Sequence, residues 1–137
     1  MESKRIVVVA EDDEDLRELL VEALSGEDRK VVEVEDGSEL LDYLEFIVGR
    51  GVEHSLPDLI VTDIHMPGSS GLDVVSLARG RGVSCPFVIL SGFADERVYE
   101  AASRLGDTTV LSKPQPLEAI KAAAAGALAR GEANRLR

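Results

Sequence analysis

The chain has 137 residues, 45% of them apolar and 30% charged, a globular composition that excludes a disordered or fibrous segment and suits one domain. Acids outnumber bases by 26 to 15, and the formal net charge of -11 opposes contact with a phosphate backbone, so no direct nucleic-acid partner is expected. The single cysteine, Cys85, cannot form an internal disulfide, and its place in an apolar stretch before Pro86 points to a buried, inert thiol. The apolar run after Lys4 and Arg5 stops at Glu11, too short for a signal peptide or a membrane span, so a cytoplasmic location without a membrane partner is expected.

Short apolar runs alternate with segments of helical periodicity, five of each, which is the order a parallel sheet with crossover helices requires. Ile6-Val7-Val8-Val9-Ala10 is a β-branched run suited to a central strand buried on both faces. Leu16, Leu19, Leu20, Ala23 and Leu24 then follow the spacing of one helix face, with Asp13 as its cap and Gly26 as its stop. A second strand at Val31-Val32-Glu33-Val34 leads through Asp36-Gly37 to a helix that turns Leu40, Leu41, Leu44, Ile47 and Val48 inward, and a loop over 49–57 follows.

The third strand, Leu59-Ile60-Val61-Thr62, ends at Asp63, and the turn Met66-Pro67-Gly68-Ser69-Ser70-Gly71 precedes a helix marked by Leu72, Val75 and Ala78. The fourth strand is Phe87-Val88-Ile89-Leu90-Ser91, and its helix carries Val98, Ala101, Ala102 and Leu105. A fifth strand, Thr109-Val110-Leu111-Ser112, runs into Lys113-Pro114 and an alanine-rich helix from about Pro116. The expected domain is the whole chain, 1–137, with a core over about 4–130 and a frayed tail over 131–137.

In an open parallel sheet the ligand site lies beyond the carboxyl ends of the strands. Those ends deliver Glu11 and Asp12, Asp63, Ser91 and Lys113, and right-handed crossovers bring them to one edge. Three carboxylates held together repel one another, a cost that a hard cation with oxygen ligands removes, so Mg²⁺ is the expected cofactor. A cation held by few protein oxygens suits phosphoryl chemistry. Asp63 can then be the nucleophile, with Lys113 and Ser91 meeting the charge on the phosphoryl oxygens. Taken singly, the acids from Glu11 to Asp15 read equally well as a solvated helix start, Ser91 as a strand end and Lys113 as a surface charge. The combination favours the functional reading. His54 falls in a polar loop stretch, and neither it nor His65 has partners spaced for zinc.

Ala10-Glu11-Asp12-Asp13, Thr62-Asp63-Ile64-His65-Met66-Pro67 through Gly71-Leu72, Leu90-Ser91-Gly92 and Ser112-Lys113-Pro114 occur in an order and spacing that resembles the receiver domains of two-component response regulators, over essentially the whole chain. The resemblance implies a flavodoxin-like doubly wound α/β fold, a (βα)5 sandwich with a five-stranded parallel sheet in the order 2-1-3-4-5. It implies Asp63 as phospho-acceptor, Asp12 as a Mg²⁺ ligand, Glu11 as an acid acting through metal-bound water, and the main-chain carbonyl of His65 as a further ligand. Glu11-Asp12 is taken as the acid pair because Asp12 then stands at the family's usual distance from Arg17. Ser91 is similar to the family's switch hydroxyl and Lys113 to its phosphate-contacting lysine, and the Lys113–Pro114 bond is expected to be cis.

The implied partners are a histidine kinase or histidine phosphotransfer protein and a downstream target protein. The implied role is a signalling switch rather than a metabolic enzyme. Two features depart from the family: Val110 stands where many members carry an aromatic switch residue, and the loop over 49–57 is several residues longer than the family's usual one. A phosphatase of the aspartate-nucleophile class would want a second carboxylate two residues after Asp63, where His65 stands. A nucleotide-binding module would need a phosphate-cradling loop where Glu11 to Asp15 would repel phosphate. The alternative that stays open is a pseudo-receiver that binds a partner without phosphorylation.

Overall fold

The computed structural model of the chain describes residues 4–49, 56–65, 70–92 and 94–135, with side chains as far as 131. Five strands alternate with five helices. They are β1 (Arg5–Ala10), α1 (Glu14–Leu24), β2 (Arg29–Val34), α2 (Gly37–Gly49), β3 (Leu59–Asp63), α3 (Gly71–Gly80), β4 (Phe87–Ser91), α4 (Glu96–Ser103), β5 (Thr108–Ser112) and α5 (Leu117–Arg135). The strands form one parallel sheet in the order β2-β1-β3-β4-β5, the doubly wound topology expected.

Strand periodicity divides the core between the two faces of this sheet. Val7, Val9, Leu59, Val61, Val88 and Leu90 face Leu20 and Leu24 of α1 and Ile120, Ala124 and Leu128 of α5. Their neighbours Val8, Ala10, Ile60, Phe87 and Ile89 face the other way, against Leu40 and Leu44 of α2, Val74, Val75 and Ala78 of α3 and Ala102 of α4. Central strands buried on both faces need continuous apolar runs, which is why β1, β3 and β4 lack polar alternation. Each large side chain so buried contributes about 1.5–3 kcal/mol relative to exposure.

The helix faces differ in detail from the periodic reading. Asp13 caps α1 by accepting from the Leu16 N–H at 3.1 Å, as expected, but Leu19 is 49% exposed and Arg17 takes a buried place beside Leu20 and Leu24. In α3 Val75 and Ala78 are buried as expected and Val74 is fully buried beside them, with Leu72 only partly covered, and α4 ends before Leu105, which still touches the core. The edge strand β2 begins at Arg29, because its charged start pairs with Arg5 and Ile6 of β1 at the sheet margin. The tail expected to fray from residue 131 continues α5 to Arg135, where helix-tolerant Glu, Ala and Arg residues follow Gly131. Most of the loop over 49–57, with His54, and the Met66 to Ser69 part of the turn lie outside the described residues.

At the amino ends of β4 and β5, Arg79 ties the connecting segments together. Its guanidinium donates to the carbonyls of Leu105, Val83, Cys85 and Asp107 over 2.6–3.0 Å and lies 5.2 Å from the centre of the Phe87 ring. Among the described residues no helix is long and apolar enough to cross a membrane.

Candidate functional site

The carboxyl ends of the strands meet at one edge because the parallel registers align Ala10 with Val34 and Thr62, Asp63 with Leu90, and Ser91 with Ser112. Main-chain bonds carry the alignment past the strand ends. Glu11 N–H donates to the Val34 carbonyl at 3.2 Å, Ile64 N–H to the Leu90 carbonyl at 2.9 Å, and Lys113 N–H to the Ser91 carbonyl at 2.7 Å. Glu11, Asp63 and Ser91 are buried there, at 1%, 6% and 0% exposure, while Asp12 is exposed at the rim.

One carboxylate oxygen from each of Glu11, Asp12 and Asp63 lies within 4.8 Å of the others. The Lys113 ammonium donates to Asp63 Oδ2 and lies 3.4 Å from Glu11 Oε1. His65 N–H donates to Asp63 Oδ1 at 2.9 Å, and Asp13 N–H to Glu11 Oε2 at 3.2 Å. Glu11, Asp12, Asp63 and Lys113 are therefore drawn together by their side chains, while Ser91 and the exposed His65 are joined through main-chain bonds. The Lys113–Pro114 bond is cis, as expected.

Burial pushes the Glu11 carboxyl up to about 7; the Asp63 charge adds to the rise, against the Asp13 N–H and the Lys113 charge. Burial pulls the Lys113 ammonium down, but its hydrogen bond to Asp63 and the charges of Asp63 and Glu11 outweigh it and hold the group above its ordinary value. A single ammonium, in contact with Asp63 and Glu11, leaves the three carboxylates with an excess of negative charge. An all-oxygen donor set with that excess fits a hard divalent cation such as Mg²⁺ and suits soft metals poorly.

Two further residues hold the site and were not apparent as such from sequence. Gly71, at the start of α3, lies against the main chain that follows β3: its N–H donates to the Ile64 carbonyl at 2.9 Å, and a Cβ there would stand 2.8 Å from the Asp63 carbonyl oxygen. Only glycine permits that approach. Arg17 donates from Nη1 to the Glu11 carbonyl at 2.9 Å. A charged residue one place after Leu16 and three before Leu20, in an inward helix arc, was the signal available in the sequence. Cys85 lies at the opposite end of β4, where burial pushes its thiol up to about 12.

Residues 7–125 match the response regulator receiver domain family. A 14.6 kDa protein encoded in the sodA1 3' region of Leptolyngbya boryana is 33% identical over 118 residues, 84% of each chain. The transcriptional regulatory protein PdtaR of Mycobacterium tuberculosis is 32% identical over 80% of this chain and 50% of its own length. The DNA-binding transcriptional regulator NtrC of Escherichia coli is 30% identical over 80% of this chain and 22% of its own length. The chain thus spans half or less of those two regulators. A response regulator receiver domain protein from Methanospirillum hungatei has the same fold at 17% identity, with a TM-score of 0.82 over 96% of this chain and 99% of that one. The receiver domain of Francisella response regulator 1452 shares it at 22% identity, with a TM-score of 0.76 over 93% and 98%. With its strand-end carboxylates and lysine in place, the chain belongs to the response regulator receiver domains, a family of switches set by phosphorylation.

Proposed function

We propose that Asp63 accepts a phosphoryl group from the phosphohistidine of a partner kinase or phosphotransfer protein, and that the acyl phosphate so formed changes the affinity of a downstream target protein. The observation that carries this reading is the setting of the Asp63 carboxylate: His65 N–H is on Oδ1, the Lys113 ammonium on Oδ2, and Glu11 and Asp12 lie alongside. In the transfer, a carboxylate oxygen of Asp63 attacks phosphorus as the phosphorus–nitrogen bond to the donor imidazole breaks, and the imidazole leaves with that electron pair. Lys113 meets the charge on the phosphoryl oxygens, and the buried Ser91 hydroxyl at the end of β4 senses their arrival.

Glu11, Asp12, Asp63 and the His65 carbonyl are the residues that would hold Mg²⁺, with Glu11 acting through water. When bound, the ion supplies neutralisation of the carboxylates and of the incoming phosphoryl oxygens. The role is that of a signalling switch in the cytoplasm, not of a metabolic enzyme. Intact mass after incubation with a small-molecule phosphodonor separates this from a phosphorylation-independent interaction module. Gain of one phosphoryl group with Mg²⁺ and none with chelator is expected; no gain under either condition favours the interaction module.

A further inference from the structure

Every hydrogen-bonding group of Glu11 is held. Its N–H is on the Val34 carbonyl, Oε2 receives the Asp13 N–H, Oε1 faces the Lys113 ammonium, and its carbonyl oxygen receives Arg17 Nη1 at 2.9 Å. The two side-chain contacts use the carboxylate oxygens that the metal site would also draw on, so filling it can redistribute them. The two main-chain anchors need not change. Of these, the Val34 contact belongs to the β1–β2 ladder that any such sheet has, whereas the Arg17 contact is made by a side chain.

Arg17 is buried, with 8% exposure, on the inward face of α1. Its neutralising partners are at the surface: Glu33, 3.3 Å from Nε, and Glu35, 3.8 Å from Nη2, have side chains 54% and 70% exposed. Ion pairing alone would be met at the rim in water, without burying a guanidinium. What burial adds is the contact to the Glu11 carbonyl. That oxygen belongs to the peptide joining Glu11 to Asp12, so its anchoring sets the plane from which the exposed Asp12 side chain departs.

Resting on the function proposed above, we infer that Arg17 is a positioning residue for the metal site, fixing the Glu11–Asp12 peptide so that both acids converge with Asp63. It acts from behind the ligands, as outer partners of metal ligands generally do. The test is a titration of the metal-free full chain with Mg²⁺ alone, followed by the amide shifts of Glu11 to Asp13 and by calorimetry. Arg17→Met should raise the Mg²⁺ dissociation constant about tenfold or more, the scale on which lost outer-shell partners act. Arg17→Lys, which keeps one donor but not the fork, should recover most of the affinity. Glu33→Gln with Glu35→Gln, which removes the exposed ion pairs and leaves the carbonyl contact, should change it less than about twofold.

Leu24→Ala, a truncation of a fully buried side chain at the far end of the same helix, loosens α1 without touching Glu11 and should leave Mg²⁺ affinity unchanged. With a small phosphodonor, the Mg²⁺ concentration giving half the maximal phosphorylation rate should rise in Arg17→Met, while the rate at saturating Mg²⁺ is retained. Wild-type affinity in Arg17→Met would overturn the inference, as would an equal loss in Leu24→Ala. If Arg17→Met does not fold, wild-type affinity in Arg17→Lys together with a tenfold loss in the double glutamine variant would overturn it, because the exposed pairs would then be the anchor. Failure of the wild type to bind Mg²⁺ would overturn the proposed site and this role with it; binding by the wild type with no effect of Arg17 would overturn this role alone.

Discussion

Val110 and Ser91 lie on adjacent strands, Ser91 at the carboxyl end of β4 and Val110 in the middle of β5 opposite Ile89, and their chemistry suits them to different tasks. Val110, 9% exposed in β5, belongs to the apolar layer with Ile89 and Ala102, and its β-branched side chain is too stiff to swing between solvent and a pocket. Val110→Ala should therefore act as a core truncation, costing about 1–3 kcal/mol in chemical denaturation while leaving phosphorylation-induced amide shifts in α4 and β5 intact. Ser91→Ala should cost only about 1 kcal/mol yet diminish those shifts, because it removes the hydroxyl proposed above to meet the phosphoryl group. Intact shifts in Ser91→Ala with their loss in Val110→Ala would reverse the assignment. Cys85 offers a pH test. Burial raises its thiol to about 12, so its contribution to stability is present below about 9, the unfolded value, and is lost as pH rises through the folded one. Because the thiolate is the nucleophile, native protein at pH 8 should alkylate far more slowly than protein unfolded in urea, and equal rates would contradict the burial. The acids, the hydroxyl and the lysine of the site were legible in sequence because each ends an apolar run. Arg17 and Gly71 stood in the pattern, Arg17 as a charge in an inward helix arc and Gly71 in a turn, but their main-chain partners could not be read from it.

The elements themselves follow the sequence closely where burial is two-sided. β4 occupies the residues read for it, Phe87–Ser91, because an unbroken apolar run flanked by Pro86 and Gly92 admits little else. Helices were legible as helices but less so in phase: an apolar arc wide enough to include Leu16, Leu19 and Leu20 does not say which edge faces the sheet, and packing left Leu19 outside. The start of α3 shows an element placed by one residue. Ser70 caps it by accepting from the Asp73 N–H at 3.3 Å, and Gly71 lets its first turn abut the Asp63–Ile64 main chain. Gly71→Ala must push one of the two away, since the obstruction is main chain rather than a flexible side chain. A destabilisation of about 1–3 kcal/mol is expected, together with a slower gain of phosphoryl mass as the Asp63 carbonyl shifts. A variant as stable and as quickly phosphorylated as wild type would show that the contact is not constraining.

Across the whole molecule, the parallel order brings four of the five strand endings to one site, so the topology was inferable from the alternation of elements and the site from the topology. What the pattern of residues could not supply was the distribution of charge at that edge, where burial and neighbours together set the state of Glu11 and Lys113. A cation that binds the folded cluster and not the unfolded chain must stabilise the fold. At ten times its dissociation constant, free Mg²⁺ should add about 1.4 kcal/mol, measured as a rise in melting temperature over chelated protein, and Asp12→Asn should remove most of it. An unchanged melting temperature in the wild type would count against the site. The claim on which the rest depends is that Asp63 carries the phosphoryl group, and the direct measurement is intact mass of wild type and Asp63→Asn after equal exposure to a small-molecule phosphodonor with Mg²⁺. Wild type should gain one phosphoryl group and Asp63→Asn none; a full gain by Asp63→Asn would place the nucleophile elsewhere.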